Sequence, residues 1–282
     1  MNPEGGLVIA DPSLRGAQGL FLLFKQGHRP DRNAIRDFAA CKANASISHD
    51  PLEQAALHLA SSDGESVEKG NGALNADTLT KHVWMELLRD GMSFELSGLA
   101  PGEGLLLPRV DFVFDFSAPP EPSDFEVLRL AHGHHLAGGE RALPVAKGLL
   151  GLACDLVDHF AELEGVLWPP SSSAIGHQFF ESVVTAWFEG GPFPALGLTA
   201  FRETTDGALQ TEGLSFWIDQ ELRIEPPLSL DKVSATRIGV RLVNQLVLVG
   251  GIDTSERVVA PDGTRLVLRT SRNGQFVRVW RE

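Results

Sequence analysis

Apolar residues recur along the chain at two spacings, and each change of spacing predicts an exchange of strand for helix. The run GLFLLFKQ (19–26) is short and continuous, as in a buried strand. After His28, Arg29 and Pro30, residues 31–43 set Ile35, Phe38 and Ala39 on one side at helical spacing. In HDPLE (49–53), Asp50 can cap, Pro51 suits a first helical position and Glu53 completes a capping box, so residues 51–60 predict a short helix flanked by His49. Residues 61–73 are polar, glycine-rich and aperiodic, as in a surface loop. A helix is expected over 77–90, ended by Gly91 in the left-handed conformation, and MSFELSG (92–98) reads as a strand. Proline is dense over 100–123 around one alternating stretch, VDFVFDF (110–116), which puts a boundary or long crossover near residue 119.

The second half alternates more regularly. FEVLRL (125–130) predicts a strand. Residues 142–160 predict a helix with an apolar arc of Leu143, Ala146, Leu149, Leu150, Ala153, Cys154, Leu156, Val157 and Phe160. Lys147, Gly151, Asp155, Asp158 and Glu162 fall on the other side, expected in water. GVLW (165–168) reads as a strand, then a serine-capped helix through Phe180, Val183, Val184, Trp187 and Phe188 closes at Gly190. Asp206 and Gly207 mark a hairpin between ALGLTAFR and ALQTEGLSFWI. A helix over 230–249, with Val233, Ile238, Leu242, Leu246 and Val249 inward, leads into a three-stranded meander: VVA, TRLVLRT and QFVRVW. Hairpins with grouped helices predict an α+β fold, mostly antiparallel sheets covered by helices, with two similar α/β sandwich halves as one form of it. The halves are 1–118 and 119–282, as two domains or one packed unit; no residue-level repeat connects them.

Composition narrows the partners. A net charge of −13 repels a phosphate backbone, and no Lys/Arg run interleaved with aromatics is found along the chain, so no nucleic-acid partner is expected. The acidity suits a solvated surface, or a basic protein partner. The N-terminus lacks a secretory pattern, and no apolar run approaches the roughly 18–20 residues that span a bilayer, so a cytoplasmic protein without a membrane partner is expected. Cys41 and Cys154, far apart in helical patterns, read as buried, reduced thiols without basic neighbours.

Candidate chemistry concentrates in AHGHHLAGGE (131–140), where His132, His134 and His135 are close enough to suggest a metal. Neighbouring residues of an extended chain point apart, so His134 and His135 should diverge. The carboxylates downstream, Asp155 and Asp158, share the expected solvated face of their helix, with His159 further round. An outer bend without metal is therefore expected. Trp168, after a strand and before Pro169 and Pro170, stands where open sheets often contact ligands, or it closes the end of the core. The phosphate-loop, nucleophile-elbow, zincin, paired Cys-x-x-Cys and dinucleotide motifs are missing, and no cofactor is expected.

SHDP (48–51), FELSGLAPG (94–102), HLAGG (135–139), FPALGLTAF (193–201) and QELR (220–223) together resemble an uncharacterised bacterial family, known only as a domain of unknown function. The resemblance implies no catalytic residues, and of the three histidines only His135 belongs to its pattern. Two functions follow from the sequence. One is a non-catalytic cytoplasmic protein that binds a protein partner or small ligand. The alternative is a metal-dependent hydrolase using the His132 to His135 loop with a carboxylate from elsewhere. Oligomeric state is left open.

Overall fold

The computed structural model describes residues 19–53, 83–260 and 262–282. Most of the helix expected over 51–60, the loop over 61–73 and the start of the helix over 77–90 lie outside them. The architecture is α+β, with two mixed sheets. The first joins β1 (Leu20–Lys25), β2 (Ala45–His49), β3 (Trp84–Arg89), β4 (Met92–Ser97), β5 (Phe112–Phe114), β6 (Phe125–His132), β7 (Leu163–Trp168) and β8 (Ser173–Gly176), in the order β2-β3-β4-β6-β1-β7-β8-β5. The second joins β9 (Ala200–Glu203), β10 (Leu209–Glu212), β11 (Glu221–Ile224), β12 (Glu256–Val259), β13 (Arg265–Thr270) and β14 (Phe276–Arg281), in the order β12-β13-β14-β11-β10-β9. Among the named strands of the described residues, only β5 with β8 and β11 with β14 run parallel. Strands before and after residue 119 hydrogen-bond within the first sheet: β1 lies between β6 and β7.

Both faces of the middle of the first sheet are covered. Leu20, Leu22 and Phe24 of β1 alternate with Phe21 and Leu23, and the two sets enter different clusters. The first set packs with helices α1 (Arg32–Cys41), α2 (Leu143–His159) and α3 (His177–Phe188) in a core that continues to Leu222, Leu268 and Val279 of the second sheet. The second set packs under Leu105, Leu107, Val110 and Phe116 of the proline-rich crossover. Helix α4 (Lys232–Val249) lies on the second sheet through Ala235, Gly239, Leu242, Val243 and Leu246. Its first turn is capped by Asp231, and Gly250 ends it in the left-handed conformation.

Several local expectations are overturned. Residues 84–89 form a strand, and Asp90 and Gly91, both at positive φ, make the tight turn of a β3–β4 hairpin. The helix formers Met85, Glu86 and Leu87 yield to alternation: Met85 and Leu87 are buried, while Glu86 faces the other way. Before α3 the serines make no cap. Ser173 opens β8, and the buried Ser171 hydroxyl donates to Gly197 O at 2.8 Å. Val233 and Val249 are exposed rather than inward, and Cys41 is exposed rather than buried. Asp50 does accept from Leu52 N, yet its buried carboxylate also holds Arg32 and Arg36 of α1.

The polar arc of α2 is solvated only in part: Asp158 is exposed, whereas Gly151 is buried and Asp155 half-buried. Gly151 meets Arg89 so closely that an added Cβ would fall 1.7 Å from its Nη1. That slot lets Arg89 Nε approach Asp155 Oδ2 to 3.0 Å, an ion contact not aligned as a hydrogen bond. Burial pushes the Asp155 carboxyl above its usual range, against the pull of Arg89. Burial likewise pushes the Cys154 thiol up to about 12.

Candidate functional site

The three histidines are divided by the end of β6. The strand runs two residues further than its sequence pattern suggested, so His132 follows Leu128 and Leu130 onto the helix-covered side, opposite Phe94. Its side chain is 8% exposed, and its Nε2 lies 3.6 Å from Glu140 Oε1, outside hydrogen-bond geometry. Glu140 is itself held by the Gly138 N–H at 2.8 Å, which lowers its carboxyl below the usual value. His134 and His135 begin a single 3-10 turn, His134–Leu136, and are exposed, their rings 6.3 Å apart. Asp155 is engaged with Arg89, and Asp158 with Lys42. His159 packs edge-on against Phe38 and Phe160. Among the described residues no group of three His, Cys, Asp or Glu side chains is placed to hold a metal ion.

Trp168 is buried where the two sheets meet. Its ring stacks on Trp217 at 5.9 Å and meets the edge of Phe216 at 5.2 Å, both from the helical turn Ser215–Ile218 that follows β10. Glu221 fixes that turn: its carboxylate accepts from the N–H groups of Gly213, Leu214 and Ser215. Trp187 and Phe193 complete the cluster, and Lys147 Nζ sits 4.6 Å above the Trp187 ring.

The outer face of the second sheet has a different character. Leu222, Ile224, Val277, Val279, Leu266 and Leu268 point into the core, so the alternate residues of the same strands point away from it. Register aligns those residues across five strands: Arg202 opposite Gln210, Gln210 opposite Arg223, Arg223 opposite Arg278, and Arg278 opposite Arg269. Trp280, opposite Val267, stands next to the row, with Arg278 at 5.0 Å and Arg269 at 5.8 Å from its ring centre. Like charges directly opposite one another are destabilising. Here Glu225, its side chain 6% exposed, offsets part of the repulsion by accepting from Arg223 Nε at 3.0 Å and from Arg278 Nε. Asp206 pairs with Arg223, while Glu212 and Asp111 hold Arg202. Arg265 and Arg269 meet no carboxylate among the described residues, and both are exposed.

The interleaving of arginine and aromatic residues that the linear sequence lacked is thus assembled across strands. A signal for it was present: TRLVLRT and QFVRVW each alternate, and reading them at a period of two puts Arg265, Arg269, Arg278 and Trp280 together. Arg223 and Glu225 had no such signal, because residues 221–224 were not expected to form a strand. No protein-family model, curated protein or solved structure matches the chain.

Proposed function

We propose that the protein is a non-catalytic, cytoplasmic binding module that docks an acidic protein partner on the outer face of its second sheet. The observation supporting this reading is the row Arg223, Arg278 and Arg269 on adjacent strands, at the side of Trp280. Aligned guanidinium groups lower the stability of the isolated fold, whereas a partner bringing carboxylates gains hydrogen bonds from Arg269 and Arg278; Arg223 already donates to Glu225, Gln210 and Asp206. Trp280 adds a rigid apolar surface of the kind that anchors interfaces. The overall negative charge keeps the rest of the surface repulsive to such a partner, which confines it to this face.

Affinity capture from native extracts, with the full chain and its Arg269→Glu/Trp280→Ala variant compared, tests the reading. The expected result is a salt-sensitive protein complex formed by the wild type and lost by the variant. Equal capture by both would remove the face from consideration. Metal analysis of untagged protein addresses the catalytic alternative. Neither His134→Ala nor His135→Ala is expected to alter metal content or to shift stability by more than about 0.5 kcal/mol. Stoichiometric metal, with hydrolysis abolished by His132→Ala, would replace binding by catalysis.

A further inference from the structure

Beyond Arg269 the second sheet ends at β12, which has β13 on one side and, among the described residues, no strand on the other. In the β12–β13 hairpin the Ala260 N–H donates to Thr264 O at 2.8 Å, and Val258 and Glu256 stand opposite Leu266 and Leu268. Antiparallel pairing alternates, so the backbone N–H and C=O groups of Arg257 and Val259 point to the free edge. An open edge is a template for another strand, which folded proteins usually blunt with charge, proline or cover. The side chains of these two residues lie on the arginine face, because they stand opposite Val267 and Arg265. Val259 is 69% exposed, and Arg257 already holds one carboxylate, Glu282 Oε1, at 2.9 Å.

We infer that the β12 edge takes up an extended acidic polypeptide segment as an additional strand, main chain on Arg257 and Val259, carboxylates against Arg257 and Arg265. This rests on the reading of the arginine face as the binding surface, and it specifies how the partner sits there. Charge selects the class of segment: the guanidinium groups of one face want carboxylates, and Val258, which points to the other face and packs against the core, wants an apolar neighbour, so alternating acidic and apolar residues fit best. A nucleic acid offers no peptide main chain to the edge, and its phosphates meet the field of a chain of net charge −13.

The test is titration of the full chain with a fluorescent peptide of about ten alternating Glu and Val residues, beside a copy N-methylated on alternate amides. The expected result is saturable binding, amide-exchange protection at Arg257 and Val259, and an affinity roughly tenfold or more weaker for the methylated copy, which lacks at least two main-chain hydrogen bonds. Val259→Pro removes an edge donor and should weaken the unmodified peptide similarly, while Val259→Thr, which keeps the main chain, should not. Equal affinity for both peptides, no binding of either, or preferential binding of single-stranded RNA would overturn the inference. In the first case, and in the second if capture of the cellular partner still depends on Arg269 and Trp280, docking on the face would stand without strand addition.

Discussion

The two sheets share their inner chemistry and differ in what lies on the other side. In the first, Phe21, Leu23, Val127, Leu167 and Ala174 are covered by the crossover between β4 and β6, so the middle of the sheet is buried on both faces. In the second, α4 covers one face and the other presents Arg223, Arg278, Arg269 and Trp280. The same alternation of side chains therefore gives a structural layer in one place and a receptive surface in the other. Charges follow the same division. The half-buried Arg89–Asp155 contact joins α2 to β3, whereas Arg265 and Arg269 remain free to meet another molecule.

Tryptophan replacement should show the contrast most strongly. Trp168→Ala, 1% exposed in the wild type, is expected to cost about 3–5 kcal/mol in denaturant unfolding. Trp280→Ala should cost about 1 kcal/mol yet abolish partner binding. A large loss of stability from Trp280→Ala would make the outer face a structural layer like the first sheet and erase the distinction.

Glu225→Gln sharpens it on the second sheet alone. The substitution keeps the shape but removes the negative charge shared by Arg223 and Arg278, at a cost of about 1–3 kcal/mol. Added salt should return part of that loss by screening the arginine row. A salt-independent loss would mean that the row exerts no net repulsion.

The smallest effects concern acid pH, and they have opposite signs in the two sheets. Asp155 has a folded pKa raised above the usual 3.8, so its contribution is full below that value and is lost as pH rises through the raised folded value. Asp206 is held down to about 2 by hydrogen bonds from Thr204 and Arg223, so its contribution is present above 3.8 and is lost as pH falls toward about 2. Unfolding midpoints between about pH 2 and pH 6 should therefore show the margin of wild type over Asp155→Asn shrinking as pH rises. The margin over Asp206→Asn should grow. Parallel curves for the two variants would contradict the assignment of Asp155 to a half-buried contact and Asp206 to an exposed one.

The local pattern of the chain was sufficient for β1, α1, α2, α4 and the β12–β14 meander, because each repeats its period long enough, or between turn residues clear enough, to leave one solution. It was insufficient where two periods compete over a short span. WMELLR has the residues of a helix, and the Asp90–Gly91 turn together with pairing to β2 and β4 makes it a strand. His132 was legible as a histidine near others; the two extra residues of β6 that bury it, and so separate it from His134 and His135, come from pairing with β4. The same physical reason governs the arginine face. Sequence determined that Arg269, Arg278 and Trp280 alternate with core residues along their own strands. Which strands become neighbours, and whether a face receives a cover, depends on contacts between residues far apart in the chain, and those the tertiary structure alone decided.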